Sequence, residues 1–301
     1  MSDHVTLVEV GPRDGLQNEA KSLPVETKVA LIERLADSGL PVVEAGAFVS
    51  AKWIPQMADS AEVLHRLTRK PGVRYPVLVP NLRGYADARA AAADEVAVFA
   101  AASESFSKRN INCSIAESLE RFRPVCDQAK ADGVRVRGYI SCVLGCPYEG
   151  AVPVAKVAEV AAALSSMGCA EISLGDTIGV GTASQARAML RAVAGAVPMA
   201  RLAVHCHDTY GQALANILAC LEEGVRIVDS SVAGLGGCPY AKGASGNVGT
   251  EDVVYLLEGQ GMDCGVDLDR LVEAGVFVTG ALGRAPASKT AQALAAKRAS
   301  V

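Results

Sequence analysis

Residues 201–208 read RLAVHCHD, a short β-rich run that ends in polar residues and leads into a helix-length segment. The same unit of β-rich run and helical segment repeats along most of the chain. The predicted strands are 5–10, 41–48, 75–81, 95–101, 134–141, 170–176, 201–208 and 225–232, and the helices between them lie at roughly 25–38, 57–69, 83–93, 114–132, 153–167, 182–196 and 209–223. Eight strands in alternation with helices predict an α/β fold, a closed (β/α)₈ TIM barrel.

The segment after the last predicted strand is rich in glycine and leads into further helices, predicted at about 250–260, 266–280 and 287–298. No linker-like or low-complexity segment divides the chain, so we expect one domain over 1–301. The barrel is expected to occupy about 5–247, with a C-terminal helical extension at about 248–298. An open doubly wound sheet is the alternative, but GPRDGLQ after the first strand is not its glycine-rich dinucleotide turn.

Composition restricts the partners that the protein is expected to have. Half of the residues are hydrophobic and the formal net charge is −4, which argues against a nucleic-acid or anionic-membrane surface. The opening MSDHVTLVEV lacks the pattern of a signal peptide, and no apolar run approaches the length of a membrane span. The nine cysteines are odd in number and scattered, which is typical of reduced thiols. We therefore expect a soluble cytoplasmic protein.

Polar residues concentrate just past the predicted strand ends, whereas the opposite loops, such as SGLP and KPGV, are bland. In (β/α)₈ barrels the active site lies at the face where the strands end. We therefore expect the functional site at this face. The residues concerned are Arg13, Asp14 and Gln17 after strand one, Glu44 within strand two, Asp176 after strand six, His205, His207 and Asp208 at strand seven, and Cys238 and Asn247 after strand eight.

The two histidines of HCHD are two residues apart and therefore point to the same face of their strand. Together with Asp14 and Glu44 at the same mouth, His205 and His207 favour a metal site with nitrogen and oxygen ligands. Without a thiolate set, the expected ion is Mg²⁺ or Mn²⁺. Two buried, hydrogen-bonded histidines without a metal are the alternative interpretation.

Other polar residues have competing interpretations. Arg13 and Asp14 alone would fit a surface ion pair, and Cys238 alone would fit an inert apolar filler. In GLGGCPY, however, a thiol on a mobile loop at the barrel mouth can act as an acid or a base. Glu9 and Arg137 lie within apolar strands, where a charge needs a partner, so they are expected to pair with each other.

Several long motifs follow one another along the chain. They are VGPRDGLQNE (10–19), FVSAKWIPQMAD (48–59), NINCSIAESLERF (110–122), YISCVLGCPYEG (139–150), SLGDTIGVGT (173–182), HCHDTYGQALAN (205–216) and SSVAGLGGCPYAKGASGN (230–247). Together these motifs resemble 3-hydroxy-3-methylglutaryl-CoA (HMG-CoA) lyase, over about residues 5–285. The RDG and HxHD pieces alone would indicate only the wider DRE-TIM metallolyase superfamily, whereas the GLGGCPYA loop is specific to the lyase.

The resemblance implies a carbon–carbon lyase that cleaves HMG-CoA to acetyl-CoA and acetoacetate, the last step of leucine breakdown. It also implies an acyl-CoA substrate as partner, and the oligomeric state typical of the family suggests a homodimer or a higher homo-oligomer. Carried over residue by residue, the metal ligands would be Asp14, His205, His207 and Asn247.

The same resemblance assigns roles to further residues. Arg13 would face the thioester carbonyl, and Gln17 and Glu44 would join it in binding substrate. Asp176 would help to shape the site, and Cys238 would take part in the proton transfers. The general base is either Asp14 or His205, and the sequence does not separate these two.

Two other enzymatic functions compete with this one. Ala45, Gly46 and Ala47 replace more hydroxyl-rich residues of some relatives and could enlarge the pocket for a longer-branched 3-hydroxyglutaryl-CoA. Another metal-dependent aldolase or synthase of the same superfamily is the second alternative. A catalytically silent barrel is disfavoured because all four implied metal ligands are present.

Overall fold

The computed structural model describes residues 3–237 and 246–299, and its strands are short and all parallel. The second predicted strand is split into two segments, and the other seven are single strands close to their predicted positions. The strands are β1 (Thr6–Glu9), β2 (Val42–Val43), β3 (Gly46–Ala47), β4 (Val77–Leu78), β5 (Glu95–Ala101), β6 (Arg135–Ser141), β7 (Glu171–Asp176), β8 (Leu202–Cys206) and β9 (Ile227–Ser230).

The sheet closes on itself at the interrupted second strand. Its order is β2-β1-β9-β8-β7-β6-β5-β4-β3, so the two ends are consecutive segments of one strand. Between the segments, the Glu44 amide donates to the Glu9 carbonyl at 2.9 Å and the Ala45 amide donates to the Pro76 carbonyl at 2.9 Å. These bonds connect the interruption to both neighbouring strands, which confirms the predicted (β/α)₈ barrel.

All ten predicted helices are present, and the structure adds the short helix α4 together with a single π-helical turn at Gly11–Gly15. Among the described residues, no helix combines the length and apolarity that crossing a membrane requires. The helices are α1 (Val25–Asp37), α2 (Ser60–Arg66), α3 (Leu82–Ala90), α4 (Glu104–Ile111), α5 (Ile115–Ala131), α6 (Val154–Ser166), α7 (Ala183–Ala194), α8 (Ala213–Glu222), α9 (Thr250–Gly259), α10 (Leu268–Leu282) and α11 (Lys289–Ala299).

The barrel interior contains a buried ionic cluster around Arg137. Its guanidinium donates to both carboxylate oxygens of Asp229, at 3.0 and 2.5 Å, and through Nε to Glu171 at 2.5 Å. The expected pair of Glu9 with Arg137 is therefore wrong. Val8 is in register with Asp229 and shares its face, so Glu9, the next residue, points to the other side of the strand.

Glu9 and Glu251 instead hold the backbone that follows β9. Glu9 accepts hydrogen bonds from the amides of Gly11 and Val232 and from Thr250 Oγ1. Both oxygens of Glu251 accept from the Ala233 amide at 2.9 Å. Ala233 has a φ of 56°, a left-handed conformation that costs a non-glycine residue energy. The two carboxylates thus fix the backbone at Val232 and Ala233, which precede Cys238 in the sequence.

Burial raises the pKa of Glu9 to about 7 and that of Glu251 to about 8. As pH rises from the ordinary carboxyl value, the unfolded chain releases these protons before the folded chain does. The free energy of unfolding therefore falls as pH rises from about 4.5 to 8, by at most about 1.4 kcal/mol per pH unit for each group.

We predict that Glu251→Gln flattens this decline, above all between pH 7 and 8, because the amide does not ionise in either state. Urea unfolding at several pH values measures the effect. Glu258→Gln, an exposed position on the same helix, is the control and should keep the wild-type slope. An unchanged slope in Glu251→Gln would contradict the prediction.

Candidate active site

Asp14, His205 and His207 converge at the carboxyl-terminal mouth of the barrel. One ligand atom from each lies within 4.8 Å of the other two, which is close enough for a shared metal ion. The two imidazole rings lie 5.2 Å apart between centroids. The histidines come from the end of β8 and Asp14 from the π-helical turn after β1. The prediction that these three residues lie close together is confirmed.

The π-helical turn sets the position of Asp14. It begins directly after β1, and π-helical turns of this kind are frequent at functional sites. At Gly15 the chain runs so close to Leu235 that a Cβ would lie 2.7 Å from the Leu235 Cβ. Gln17 Nε2 donates to Asp14 Oδ1 at 3.3 Å, and the Arg13 Nη1 donates to the same oxygen at 2.8 Å. Asp14 is thus held by residues of its own turn and of the chain directly after it.

His207 has the properties of a metal ligand. Burial and the neighbouring His205 lower the pKa of His207 to about 4, so its imidazole is neutral at ordinary pH. Its Nδ1 is buried and forms no hydrogen bond within the described part of the chain. Buried polar atoms are rarely left unpaired in folded proteins. A neutral imidazole with such an atom, beside a carboxylate and a second imidazole, fits a divalent cation.

His205 is backed by a carboxylate that the sequence analysis missed. Asp229 Oδ2 lies 3.4 Å from His205 Nδ1, and Ser173 Oγ donates to the same oxygen at 2.7 Å. Burial opposes a charged imidazole, but Asp229 and Asp14 outweigh it and raise the pKa of His205. Nδ1 lies next to Asp229, although without a hydrogen bond among the described residues, so Nε2 is the nitrogen that could ligate a metal ion. A carboxylate behind a ligating histidine commonly fixes the ring orientation.

Asn247 lies against the same carboxylate. Its Nδ2 donates to Asp14 Oδ2 at 2.9 Å and to the Leu235 carbonyl at 3.2 Å, so the amide nitrogen is fully used by two acceptors. The residue also pairs with His207 in an isolated antiparallel bridge. The structure therefore brings Asn247 to the three-residue cluster, with its Oδ1 left over as a possible ligand atom.

Arg13 and Glu44 form a buried pair beside this cluster. Arg13 Nε donates to Glu44 Oε2 at 2.7 Å, and only 7% of the Arg13 side chain is exposed. Arg13 and Asp14 are therefore not a surface ion pair. Glu44 Oε1 is buried without a hydrogen-bond partner among the described residues. Nε and Nη1 of Arg13 donate to Glu44 and Asp14, and its Nη2 donates no hydrogen bond to the described residues.

Asp176, a predicted site residue, points away from the cluster. Asp176 is in register with Cys206, whose side chain belongs to the main hydrophobic core, whereas its neighbour Gly175 is in register with His205. The Asp176 carboxylate accepts hydrogen bonds from the amides of Val180 and Gly181 and so supports its own loop. Cys238 lies outside the described residues, and its proposed role stays a prediction.

The small residues after Glu44 are buried in the protein core. Ala45 and Ala47 pack in the main hydrophobic core. A Cβ at Gly46 would lie 2.6 Å from Ser60 Oγ, so the space beside this glycine is already filled. The expectation that these positions widen the site for a longer acyl branch finds no support in the structure.

A closed parallel barrel with a carboxylate and two imidazoles at its mouth defines a (β/α)₈-barrel enzyme with a candidate metal site. The family model described as HMGL-like matches residues 4–278. The mitochondrial hydroxymethylglutaryl-CoA lyase of Bos taurus is 63% identical over 289 residues, 96% of this chain and 89% of that protein. The chain belongs to the HMGL-like family.

Solved structures agree with this assignment. The crystal structure of hydroxymethylglutaryl-CoA lyase from Pseudomonas aeruginosa is 59% identical, with a TM-score of 0.97 and 99% of both chains covered. An HMG-CoA lyase from Acinetobacter baumannii, solved in complex with coenzyme A and 3-methylmalate, is 35% identical. Its TM-score is 0.93, with 97% of this chain and 96% of that chain covered.

We predict that Asp229→Asn weakens Mn²⁺ binding by about 10- to 100-fold, because the carboxylate that orients His205 is lost. Calorimetric titration with MnCl₂ measures the dissociation constant. Glu171→Gln is the matched control, since it also removes a partner of Arg137 but does not face His205. Both variants should be less stable, and only Asp229→Asn should bind Mn²⁺ more weakly. Equal Mn²⁺ affinities of the two variants would contradict the role assigned to Asp229.

Proposed function

We propose that the protein is a divalent-metal-dependent lyase that cleaves HMG-CoA to acetyl-CoA and acetoacetate. The observation that carries the proposal is the convergence of Asp14, His205 and His207 beside the buried Arg13, in a chain of the HMGL-like family. The high identity to the cattle and Pseudomonas aeruginosa lyases supports the same reaction. An acyl-CoA substrate is supported by the coenzyme A complex of the Acinetobacter baumannii lyase.

The proposed metal ligands are Asp14, His205, His207 and the Oδ1 of Asn247. Carboxylate, amide oxygen and neutral imidazole suit Mg²⁺ or Mn²⁺, and histidine suits Mn²⁺ somewhat better. When bound, such an ion acidifies a coordinated alcohol and fixes its orientation. No thiolate is among the described residues of the cluster, which disfavours a structural zinc site.

The cleavage requires loss of the proton from the tertiary alcohol of the substrate. The bond between the carbinol carbon and the CH₂ group next to the thioester then breaks. Its electron pair passes to the acetyl-CoA fragment, which leaves as an enolate, and the carbinol carbon becomes the ketone of acetoacetate. Arg13 and its neighbours lower the pKa of Asp14 despite burial, so Asp14 is ionised and able to accept the proton. His205, backed by Asp229, is the alternative base.

Arg13 is placed to offset the charge of the enolate. Glu44 and Asp14 fix its guanidinium, and Nη2 stays available for the thioester oxygen. A fixed cation in a buried site stabilises developing charge more strongly than one in water. Gln17 and Glu44 are proposed to complete the binding of the acyl group. Asp176 shapes the site through its loop.

We further propose, from the family resemblance, that Cys238 protonates the enolate carbon. The carboxylates of Glu9 and Glu251 fix the backbone that leads towards this residue. A homodimer or higher homo-oligomer and a cytoplasmic location stay predictions.

Purified protein is expected to release acetoacetate and acetyl-CoA from HMG-CoA with Mg²⁺ or Mn²⁺ and to stop in EDTA. His207→Ala should lose about 10²-fold or more in kcat, because a metal ligand is removed. His65→Ala, on the exposed side of α2, is the control and should match wild type. Activity that survives both EDTA and His207→Ala would refute the metal-dependent reaction.

Replacement of the loop thiol has its own expected result. Cys238→Ala should lower kcat by about 10²-fold or more, since general acid catalysis contributes on this scale. Cys264→Ala, at a buried position elsewhere, should leave kcat unchanged. Steady-state kinetics with saturating metal compares the two variants. Equal kcat values would remove Cys238 from the mechanism.

A further inference from the structure

Tyr139 carries a buried hydroxyl that has no hydrogen-bond partner among the described residues. The residue lies on β6 in register with Ser173, which faces the barrel interior and bonds to Asp229. Only 9% of Tyr139 is exposed. Buried hydroxyl groups nearly always have partners in folded proteins, so this one requires an explanation.

The ring of Tyr139 has a structural role, but its hydroxyl does not. The Arg137 guanidinium carbon lies 4.7 Å from the ring centroid and that of Arg13 lies 5.3 Å from it. Both contacts are attractive and use only the aromatic face. A phenylalanine would preserve both contacts, so packing alone accounts for an aromatic ring at this position and leaves the oxygen unexplained.

A second buried atom without a hydrogen-bond partner belongs to Glu44, which pairs with Arg13. Glu44 Oε1 has no hydrogen bond, whereas Oε2 of the same carboxylate binds Arg13 Nε at 2.7 Å. Arg13 Nη2 also has no acceptor among the described residues. The surroundings of Arg13 thus contain two donors without an acceptor among the described residues, the Tyr139 hydroxyl and Nη2 of Arg13 itself. An oxygen atom of a ligand can accept from both, whereas Glu44 Oε1 needs a donor such as a ligand hydroxyl or a water molecule.

The hydroxyl of Tyr139 is a donor under ordinary conditions. Burial raises its pKa well above the usual tyrosine value, so the proton stays on the oxygen. A neutral phenol beside two guanidinium groups is suited to donate to an oxygen that becomes negatively charged, because a hydrogen bond to a charged acceptor is stronger than one to a neutral acceptor.

We propose that Tyr139 donates a hydrogen bond to the thioester oxygen of the acyl-CoA that Arg13 faces, so that two donors stabilise the enolate. This inference rests on the proposed lyase function. It makes Tyr139 a catalytic residue, in contact with the reacting group, in addition to those assigned above.

The test compares Tyr139→Phe with Tyr85→Phe. Tyr85 is also buried, but its hydroxyl donates at 2.6 Å to Asp132, which directly follows α5 and precedes β6 and so lies at the end of the barrel opposite the site. Tyr139→Phe is expected to lower kcat by about 10²-fold with a small change in KM, which is the scale for loss of one donor to a developing oxyanion. Its melting temperature should be unchanged or higher. Tyr85→Phe should show the opposite pattern, a lower melting temperature with wild-type kcat.

A second measurement isolates the enolate. In D₂O, exchange of deuterium into the methyl group of acetyl-CoA should fall in Tyr139→Phe by about the same factor as kcat. If wild type cleaves HMG-CoA and Tyr139→Phe retains kcat within about threefold, the Tyr139 inference is overturned and the lyase function stands. Loss of kcat with normal exchange also overturns it. A wild-type protein that does not cleave HMG-CoA overturns both.

Discussion

The ion pair of Arg137 with Asp229 is the interaction on which the site depends most. Both side chains are removed from water inside the barrel, where an unpaired charge costs several kcal/mol. The bidentate geometry satisfies Arg137 and fixes Asp229, and Asp229 in turn faces His205. The buried carboxylate of Asp229 therefore sets the orientation of the His205 ring from inside the barrel. Such a pair adds little net stability compared with apolar packing, so its value lies in the position that it imposes.

The alternation of side chains along the strands decides which charges belong to this cluster. Glu9 and Asp229 lie on neighbouring strands, and β1 pairs with β9 so that Val8 is opposite Asp229. A one-residue difference in register therefore sends Glu9 out of the interior towards Thr250. Carboxylates on both faces of these strands, inward and outward, have a structural role. The inward carboxylate of Asp229 faces the site, and the outward carboxylate of Glu9 and the carboxylate of Glu251 hold the backbone at Val232 and Ala233.

The sequence predicts most of the fold because the strand and helix periods repeat without interruption. It also predicts that Asp14, His205 and His207 meet, since strand ends of a barrel share one face. It does not predict Asp229, although a charge in the apolar run VRIVDSSV was a usable signal, because the register of β9 against β8 follows from tertiary structure. The π-helical turn was also missed, as GPRDG has no local pattern that distinguishes a π-turn from a loop.

The charge of the buried site provides an argument for its cation that does not depend on the family. The buried cluster has four carboxylates and two guanidinium groups, and its members are Arg13, Asp14, Glu44, Arg137, Glu171 and Asp229. His207 is neutral, and with the carboxylates ionised the excess of negative charge remains even when His205 is protonated. Such an excess is unfavourable in a low-dielectric region, and a divalent cation offsets it. An anionic acyl-CoA substrate adds negative charge at the same place, so the cation and the substrate are expected to stabilise each other's binding.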